Sequence, residues 1–413
     1  MTSSKMPLFI LTLSRFLDRF CYWGFRSFLV FFLIESFDNN GLGLSQLEAL
    51  ALYGLFTTFI FITPVIGGLI ADFLLSKRTV AILGLVVFSA GVLGLTLTTG
   101  VWLNVHFFVI ALGLGLFGPN NYALIAQLPA NSDSSFTLLE LMSSVGALLA
   151  PIIMWLVVDE QNWHRGYYLI ALLAGLNVML LFFGRNCIVC SPTDKTENNP
   201  VKIKQLAISW VFVVAAALIY LLYWAVYEGM YPVIEQTRQL VTHMPALPQF
   251  LSFISDPQQL LPMVGVPFYV IGALLLALLW FKVPINRWIK LAIALFLYAL
   301  SWQLIGYSGQ SADSTNLLTL VVMAEVLFVF SDLLLSPILL SLIGQYSTAK
   351  GMSTSFGLFA LFGGGLNYAT GMMAGINDAH LGTIVITCLL MSFAMVGAVV
   401  IIKKRGMAQI NQS

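Results

Sequence analysis

The sequence predicts an all-α membrane protein, and three observations carry that prediction. Hydrophobic residues make up 59% of the 413 and charged residues only 9%, against roughly 25% charged in soluble domains. Apolar runs long enough to cross the ~30 Å hydrocarbon core as helices recur along the chain. Lysine and arginine cluster on one side of those runs. A soluble fold would need far more polar surface than this composition supplies.

Taken in order, the apolar runs predict twelve spans: 7–35, 46–74, 79–99, 106–129, 136–158, 165–185, 206–231, 259–282, 288–308, 317–343, 352–376 and 382–402. The first reads as a helix rather than a cleaved leader, because Arg15 and Arg19 interrupt its apolar stretch and no small-residue cleavage site follows. With the N-terminus inside, the inner ends and loops hold Lys5, Lys77, Arg78, Arg185, Lys195, Lys202, Lys204, Lys282, Arg287, Lys290, Lys350, Lys403, Lys404 and Arg405. The opposite side holds only Arg165 and Arg238. That bias predicts both termini in the cytoplasm and an even number of helices. Cys187 and Cys190 form a lone C-x-x-C without the second ligand pair of a zinc site. No metal, cofactor or nucleic-acid partner is expected, and the working unit is expected to be a monomer in a bacterial inner membrane.

The polar stretch 186–205, NCIVCSPTDKTENNPVKIKQ, separates two sets of six spans. The expected organisation is therefore an N-terminal six-helix bundle (1–185), a cytoplasmic linker (186–205) and a C-terminal six-helix bundle (206–413). This parallel-repeat plan is that of the major facilitator fold, whose members bind substrate near the bilayer midplane. Small-residue stretches at 143–151 and 362–371 suit close helix packing. At the second-to-third junction, GGLIADFLLSKRT (67–79) carries Gly67, Gly68, Asp72, Lys77 and Arg78. The glycines permit close approach, and the acid and basic pair can form ionic contacts across a cytoplasmic gate.

Ionisable groups at membrane depth point to function. At about 100° per residue, Arg15, Asp18, Arg19, Tyr22 and Arg26 fall on one stripe of the first helix. That stripe must face protein or water, because lipid cannot satisfy it. Three formal positive charges meet one negative, and an arginine cannot lose its proton on burial. The second half supplies acids: Glu228 within YLLYWAVYEGMY (220–231), one turn after Trp224, and Glu325 and Asp332 seven residues apart in the tenth span. Two readings stand: a structural salt-bridge lock between the halves, or a dipolar cavity for a zwitterion. Buried ion pairs stabilise weakly after desolvation, which favours the second. GPNNY (118–122) predicts a break in the fourth helix, with Asn120 and Asn121 either lining a cavity or bonding neighbouring helices. Glu140, toward one end of the fifth span, is a lesser candidate.

These residues resemble the proton-dependent oligopeptide transporters of the major facilitator superfamily. RFLDRFCYWGFR (15–26) looks like that family's first-helix Glu-x-x-Glu-Arg-Phe motif, and GGLIADFLLSKRTVAILG (67–84) resembles its second. WHRGYYLIALLAGL (163–176), WAVYEG (224–229) and SDLLLSP (331–337) are similar to its sixth-, seventh- and tenth-helix motifs. The resemblance implies proton-driven movement of di- and tripeptides, with Arg19, Arg26, Tyr22 and Asn120 toward the peptide carboxylate and Asp332 with Glu228 toward the amine. The departures are specific. Arg15 stands where the family keeps a glutamate and Gly118 where it keeps a lysine, while Phe61, Ser144 and Phe359 replace a tyrosine, an asparagine and a tryptophan. Arg15 can supply the missing lysine's charge from another helix.

The expected function is therefore secondary transport of small peptides by alternating access, proton-coupled through Glu228, Asp332 or Glu325. Asp18 is a poorer carrier between its two arginines. Substrate contacts are expected from Arg19, Tyr22, Arg26, Asn120, Asn121, Trp224, Glu228 and Asp332. A facilitator, exchanger or exporter of another zwitterion or anion is the alternative, followed by a peptide sensor. An enzyme is not expected, because no metal cluster or Ser-His-Asp arrangement is in view.

Overall fold

The computed structural model describes residues 5–97, 102–128, 132–158, 162–184, 203–229, 260–283, 285–308, 314–348 and 350–365. Eleven α-helices lie within them: α1 (Lys5–Ile34), α2 (Gln46–Phe73), α3 (Lys77–Leu95), α4 (Leu103–Ala126), α5 (Ser132–Val157), α6 (His164–Phe183), α7 (Ile203–Gly229), α8 (Leu260–Lys282), α9 (Arg287–Ser308), α10 (Ser314–Tyr346) and α11 (Met352–Ala360). Each coincides with an expected span to within a few residues at its start. The twelfth span, the outward loop 232–258, Cys187 and Cys190, and positions 186–202 of the linker lie outside the described residues. Residues 203–205, expected in the linker, are instead the first turn of α7.

Seven of these helices hold stretches long and apolar enough to cross a membrane, lying within α2, α3, α4, α5, α6, α9 and α10. α1 is equally long, but every 18-residue window in it holds more than two charges. Local chemistry sets the ends. α2 opens with a capping box, in which Glu48 N–H donates to Ser45 Oγ (3.3 Å) and Ser45 N–H donates to Glu48 Oε2 (3.0 Å). The Ser76 hydroxyl caps α3 by accepting from Thr79 N–H at 3.2 Å. Ahead of α2, Asn40 and Gly43 take φ values of 59° and 60°, which brings the chain back on itself after a short 3-10 turn at Phe37–Asn39.

The chain divides into two compact units that do not follow chain order. The first holds α1 to α6, the start of α7 through Val213, and residues Leu340–Gly365; the second holds Val214–Leu339. In the first, α1 packs on α5 and α6, α3 on α4 and α6, and α2 on α4. The α2–α4 and α3–α4 contacts run through Gly67 against Gly115 and Gly84 against Gly113, where any Cβ would overlap the facing backbone. An aromatic core of Phe25, Phe28, Phe32, Phe56 and Tyr167 fills the space between α1, α2 and α6. Ser14 and Asn177 tie α1 to α6: the hydroxyl donates to Asn177 Oδ1 (2.6 Å) and the amide returns a bond to Ser14 O (2.9 Å).

In the second unit, Tyr223 of α7 stacks on Tyr298 of α9 with ring centroids 4.1 Å apart, and Phe328 of α10 packs on both. Ser331 Oγ donates to Ala294 O at 2.9 Å and joins α10 to α9. The Lys290 ammonium lies 3.9 Å from the Trp280 ring centroid, a cation–π contact joining α9 to α8.

Candidate functional site

The charged stripe of α1 is inside the first unit, and partners from α2, α4 and α5 divide it in two. At the N-terminal end, Arg15 is 1% exposed. Its Nη1 donates to Asp18 Oδ2 at 3.2 Å, and its Nη2 donates to the Tyr122 hydroxyl of α4. The same guanidinium lies over the Tyr122 ring at 4.6 Å. Tyr122 passes the contact on, donating to Glu140 Oε1 of α5 at 3.3 Å. Asp18 is shared, because Arg19 Nε also lies 3.6 Å from its Oδ2. Arg19 is within electrostatic reach of Tyr122 and Glu140 as well. Arg15, Arg19, Asp18 and Glu140 therefore sum to zero formal charge.

The C-terminal end differs. Arg26 Nε donates to the Tyr53 hydroxyl of α2 at 2.7 Å, Nη1 donates to the Tyr22 hydroxyl at 2.6 Å, and Nη2 also reaches Tyr53. Tyr22, Trp23 and Tyr53 present their ring faces to it at 5.1 to 5.4 Å. Among the described side chains, which do not include that of Glu228, no carboxylate lies within ion-pair distance of Arg26. The stripe's surplus is thus one positive charge, held by phenols at Arg26, where the sequence by itself indicated a surplus of two spread along the helix.

The expected break in the fourth helix is not found. α4 runs unbroken through Pro119. Asn120 Nδ2 donates to Gly67 O (3.2 Å) and Leu116 O (2.7 Å), and Asn121 Nδ2 donates to Leu11 O (3.3 Å). Both side chains are buried between helices. Of the two roles open to them from sequence, these contacts are the interhelical ones.

A second polar junction joins the predicted gate residues to α11. Asp72, in the last turn of α2, accepts from Ser353 N–H (3.2 Å) and Thr354 N–H (2.7 Å). These are first-turn amides of α11, so the carboxylate does the work of a helix N-cap from another helix. Lys77 Nζ stands 3.9 Å from Asp72 Oδ1. A Cβ at Gly68 would sit 2.6 Å from Ser353 O, which is why α11 can approach α2 so closely there. Arg78 is partly buried beside this junction in sequence, at the start of α3.

Residues 8–372 match the sequence profile of the Major Facilitator Superfamily. The chain belongs to the major facilitator superfamily. Among relatives of this superfamily protein, a di-/tripeptide transporter of Lactococcus lactis subsp. lactis (strain IL1403) is 29% identical over 232 residues, covering 53% of this chain and 47% of that one. The chain thus spans about half the length of that relative. A solved POT family transporter in complex with 5-aminolevulinic acid superposes with a TM-score of 0.61 at 19% identity, covering 96% of both chains. The human organic anion transporter MFSD10 (TETRAN) gives 0.64 at 16% identity, covering 96% of this chain and all of the other. The superfamily fold is an all-helical, multi-pass membrane fold.

In the second unit of this superfamily member, Trp224 meets Tyr220 and Tyr223 edge-on within α7. Glu325, Asp332 and Ser336 lie on α10 and are each partly buried. Glu228 belongs to α7, with its side chain outside the described residues. Sequence reasoning missed Tyr53 and Tyr122 and ranked Glu140 low. The phenols carry no charge that would have drawn notice, and Glu140 gained weight only when Tyr122 connected it to Arg15.

Proposed function

We propose that the chain is a secondary transporter that moves di- and tripeptides across a bacterial inner membrane by alternating access, coupled to protons. The observation that carries the reading is Arg26: a part-buried guanidinium on the first helix, held in a cage of phenols, with no acid at ion-pair distance among the described side chains. Such a group is poised to take a carboxylate, because a bound anion can make charge-assisted bonds to the guanidinium. Arg19, Tyr22, Asn120 and Asn121 belong to the same N-terminal side of the proposed site. Trp224, Glu228 and Asp332 are assigned to the substrate's ammonium end, and Glu228, Asp332, Glu325 and Asp18 are the candidates for the coupling proton.

The proposed architecture is twelve helices in two bundles of six, with both termini cytoplasmic and the polar segment 186–205 joining the bundles. Gly68, Asp72, Lys77 and Arg78 then form a cytoplasmic gate. Its closed arrangement is supported by the bonds from Asp72 to the first turn of α11. Lipid surrounds the bundles, and the monomer is the transporting unit.

A second reading is favoured by the same arginine, since a single surplus cation suits any small organic anion, and one of the fold's neighbours is an organic anion transporter. Uptake into proteoliposomes separates the two. Dipeptides, single amino acids and organic anions are compared with and without an imposed proton gradient. Gradient-driven accumulation of dipeptides alone is expected. Accumulation of simple organic anions without dipeptide uptake would replace the peptide reading by the second.

A further inference from the structure

Resting on the transport reading above, with Arg26 meeting the substrate's carboxylate, we propose that Tyr53 is a positioning residue that sets substrate specificity. Its hydroxyl closes one edge of the Arg26 guanidinium. The carboxylate is left the other edge, and the rest of the peptide is aimed one way.

A planar guanidinium carries five N–H bonds in a fixed fork geometry. Two of its edges present a pair of them: the side edge, from Nε and Nη2, and the end edge, from Nη1 and Nη2. Either edge can hold a carboxylate by two bonds. In this protein the side edge is taken, because the Tyr53 hydroxyl accepts from Nε at 2.7 Å and also from Nη2. Tyr22 accepts from Nη1 at 2.6 Å. One N–H of Nη1 and one of Nη2 are left without an acceptor among the described residues. The end edge is therefore the one open to a carboxylate. Arg26 is part-buried rather than sealed in, so a ligand can reach it.

The position of the Tyr53 hydroxyl is built into the packing. Its ring lies against the aromatic core of the first unit. Three residues on in α2, the buried Phe56 meets Phe25, the neighbour of Arg26, edge-on with ring centroids 5.3 Å apart. That contact holds α2 to α1 beside the cage, and a ring held by packing keeps its oxygen in place. Tyr22 differs. It lies on α1 itself, four residues before Arg26, and accepts from Nη1 alone, so it does not close the side edge.

A carboxylate confined to one edge fixes the direction of the molecule behind it. Direction helps only a ligand with a second group to place. A dipeptide has its ammonium, whereas an anion without one gains nothing. Specificity is a difference of affinities, so freeing the side edge costs the dipeptide more than the simple anion.

The test uses the full-length protein in proteoliposomes and two probes. One is dialanine; the other is N-isobutyrylalanine, in which a methyl replaces the ammonium of dialanine. Wild type is expected to prefer dialanine. Tyr53→Phe is expected to raise the KM for dialanine by about 3- to 10-fold and that for N-isobutyrylalanine by less, so the preference shrinks. Tyr22→Phe is expected to raise both KM values and keep the wild-type preference. A merely structural loss moves both probes alike. An undiminished preference in Tyr53→Phe, or an equal loss of preference in Tyr22→Phe, overturns the role of Tyr53. If Tyr53→Phe does not fold, Arg26→Lys decides, since an ammonium has no edges to choose between. The preference is expected to shrink there too, and a wild-type preference would overturn the proposal. Absence of dialanine uptake by the wild type, or equal KM values for its two probes, overturns the peptide-transport reading instead.

Discussion

Arg15 and Arg26 share one stripe of one helix, ~16 Å apart along its axis, and they meet opposite surroundings. Arg15 is buried in a network with an acid on its own helix, a phenol from α4 and, beyond it, an acid from α5. Arg26 finds two phenols and no acid among the described residues. The difference separates a charge that the described side chains compensate from one that they do not, and the second is the one proposed above to meet a ligand. Burial by itself does not make the distinction. What matters is whether the neighbours bring the opposite charge, because desolvating an uncompensated charge costs several kcal/mol.

The strongest break of this comparison is Arg15→Met. It leaves Asp18 and Glu140 facing Arg19 alone, and a loss of about 3–5 kcal/mol is expected for stranding a buried charge. The corresponding Arg26→Met strands none of the described acids, so its melting temperature in detergent should fall much less. Equal losses in the two variants would erase the contrast.

Function is expected to invert that order. Arg26→Gln should raise the KM for dipeptide on the order of a hundredfold, as when one partner of a desolvated charge contact is truncated. Radioligand uptake at matched expression reads this directly, and a KM within a few-fold of wild type would take Arg26 out of the site.

A third substitution tests whether the gate junction is separate from both arginines. Asp72→Asn keeps the side chain's shape but weakens two bonds to α11 amides, with an expected cost of about 1–2 kcal/mol. Cysteine accessibility at Ser353 should rise while equilibrium binding of dipeptide holds. The smallest effect is expected for Tyr53→Phe, which removes one phenol from Arg26. A rise in KM of about 3- to 10-fold follows from losing a bond to a charged group worth roughly 1–1.5 kcal/mol.

Much of the helix pattern was legible, and the reason is physical. Apolar length, set against bilayer thickness, marks each span without reference to its neighbours. α7 to α10 therefore start within about three residues of their expected positions, where end fraying sets the error. The polar junction at Asp72 and Lys77 was legible too, because paired glycines, an acid and a basic pair stand close in sequence. Asn120 and Asn121 show the limit. Proline at 119 suggested a break, yet α4 is continuous, and both side-chain amides are used by carbonyls of α1 and α2.

The sequence by itself determined that this chain is a polytopic helical protein, that α1 carries charges on one face, and that those charges cannot face lipid. These follow from local spacing and from the solvent properties of a bilayer. Only the tertiary structure decided which charges cancel. Tyr122 and Glu140 lie more than a hundred positions from Arg15, and Tyr53 lies on the helix after Arg26. Only close packing of four helices brings them within hydrogen-bond reach. Compensation of a buried charge is a short-range property of space, so no reading along the chain could have shown that Arg15 meets acids and Arg26 meets phenols among the described side chains.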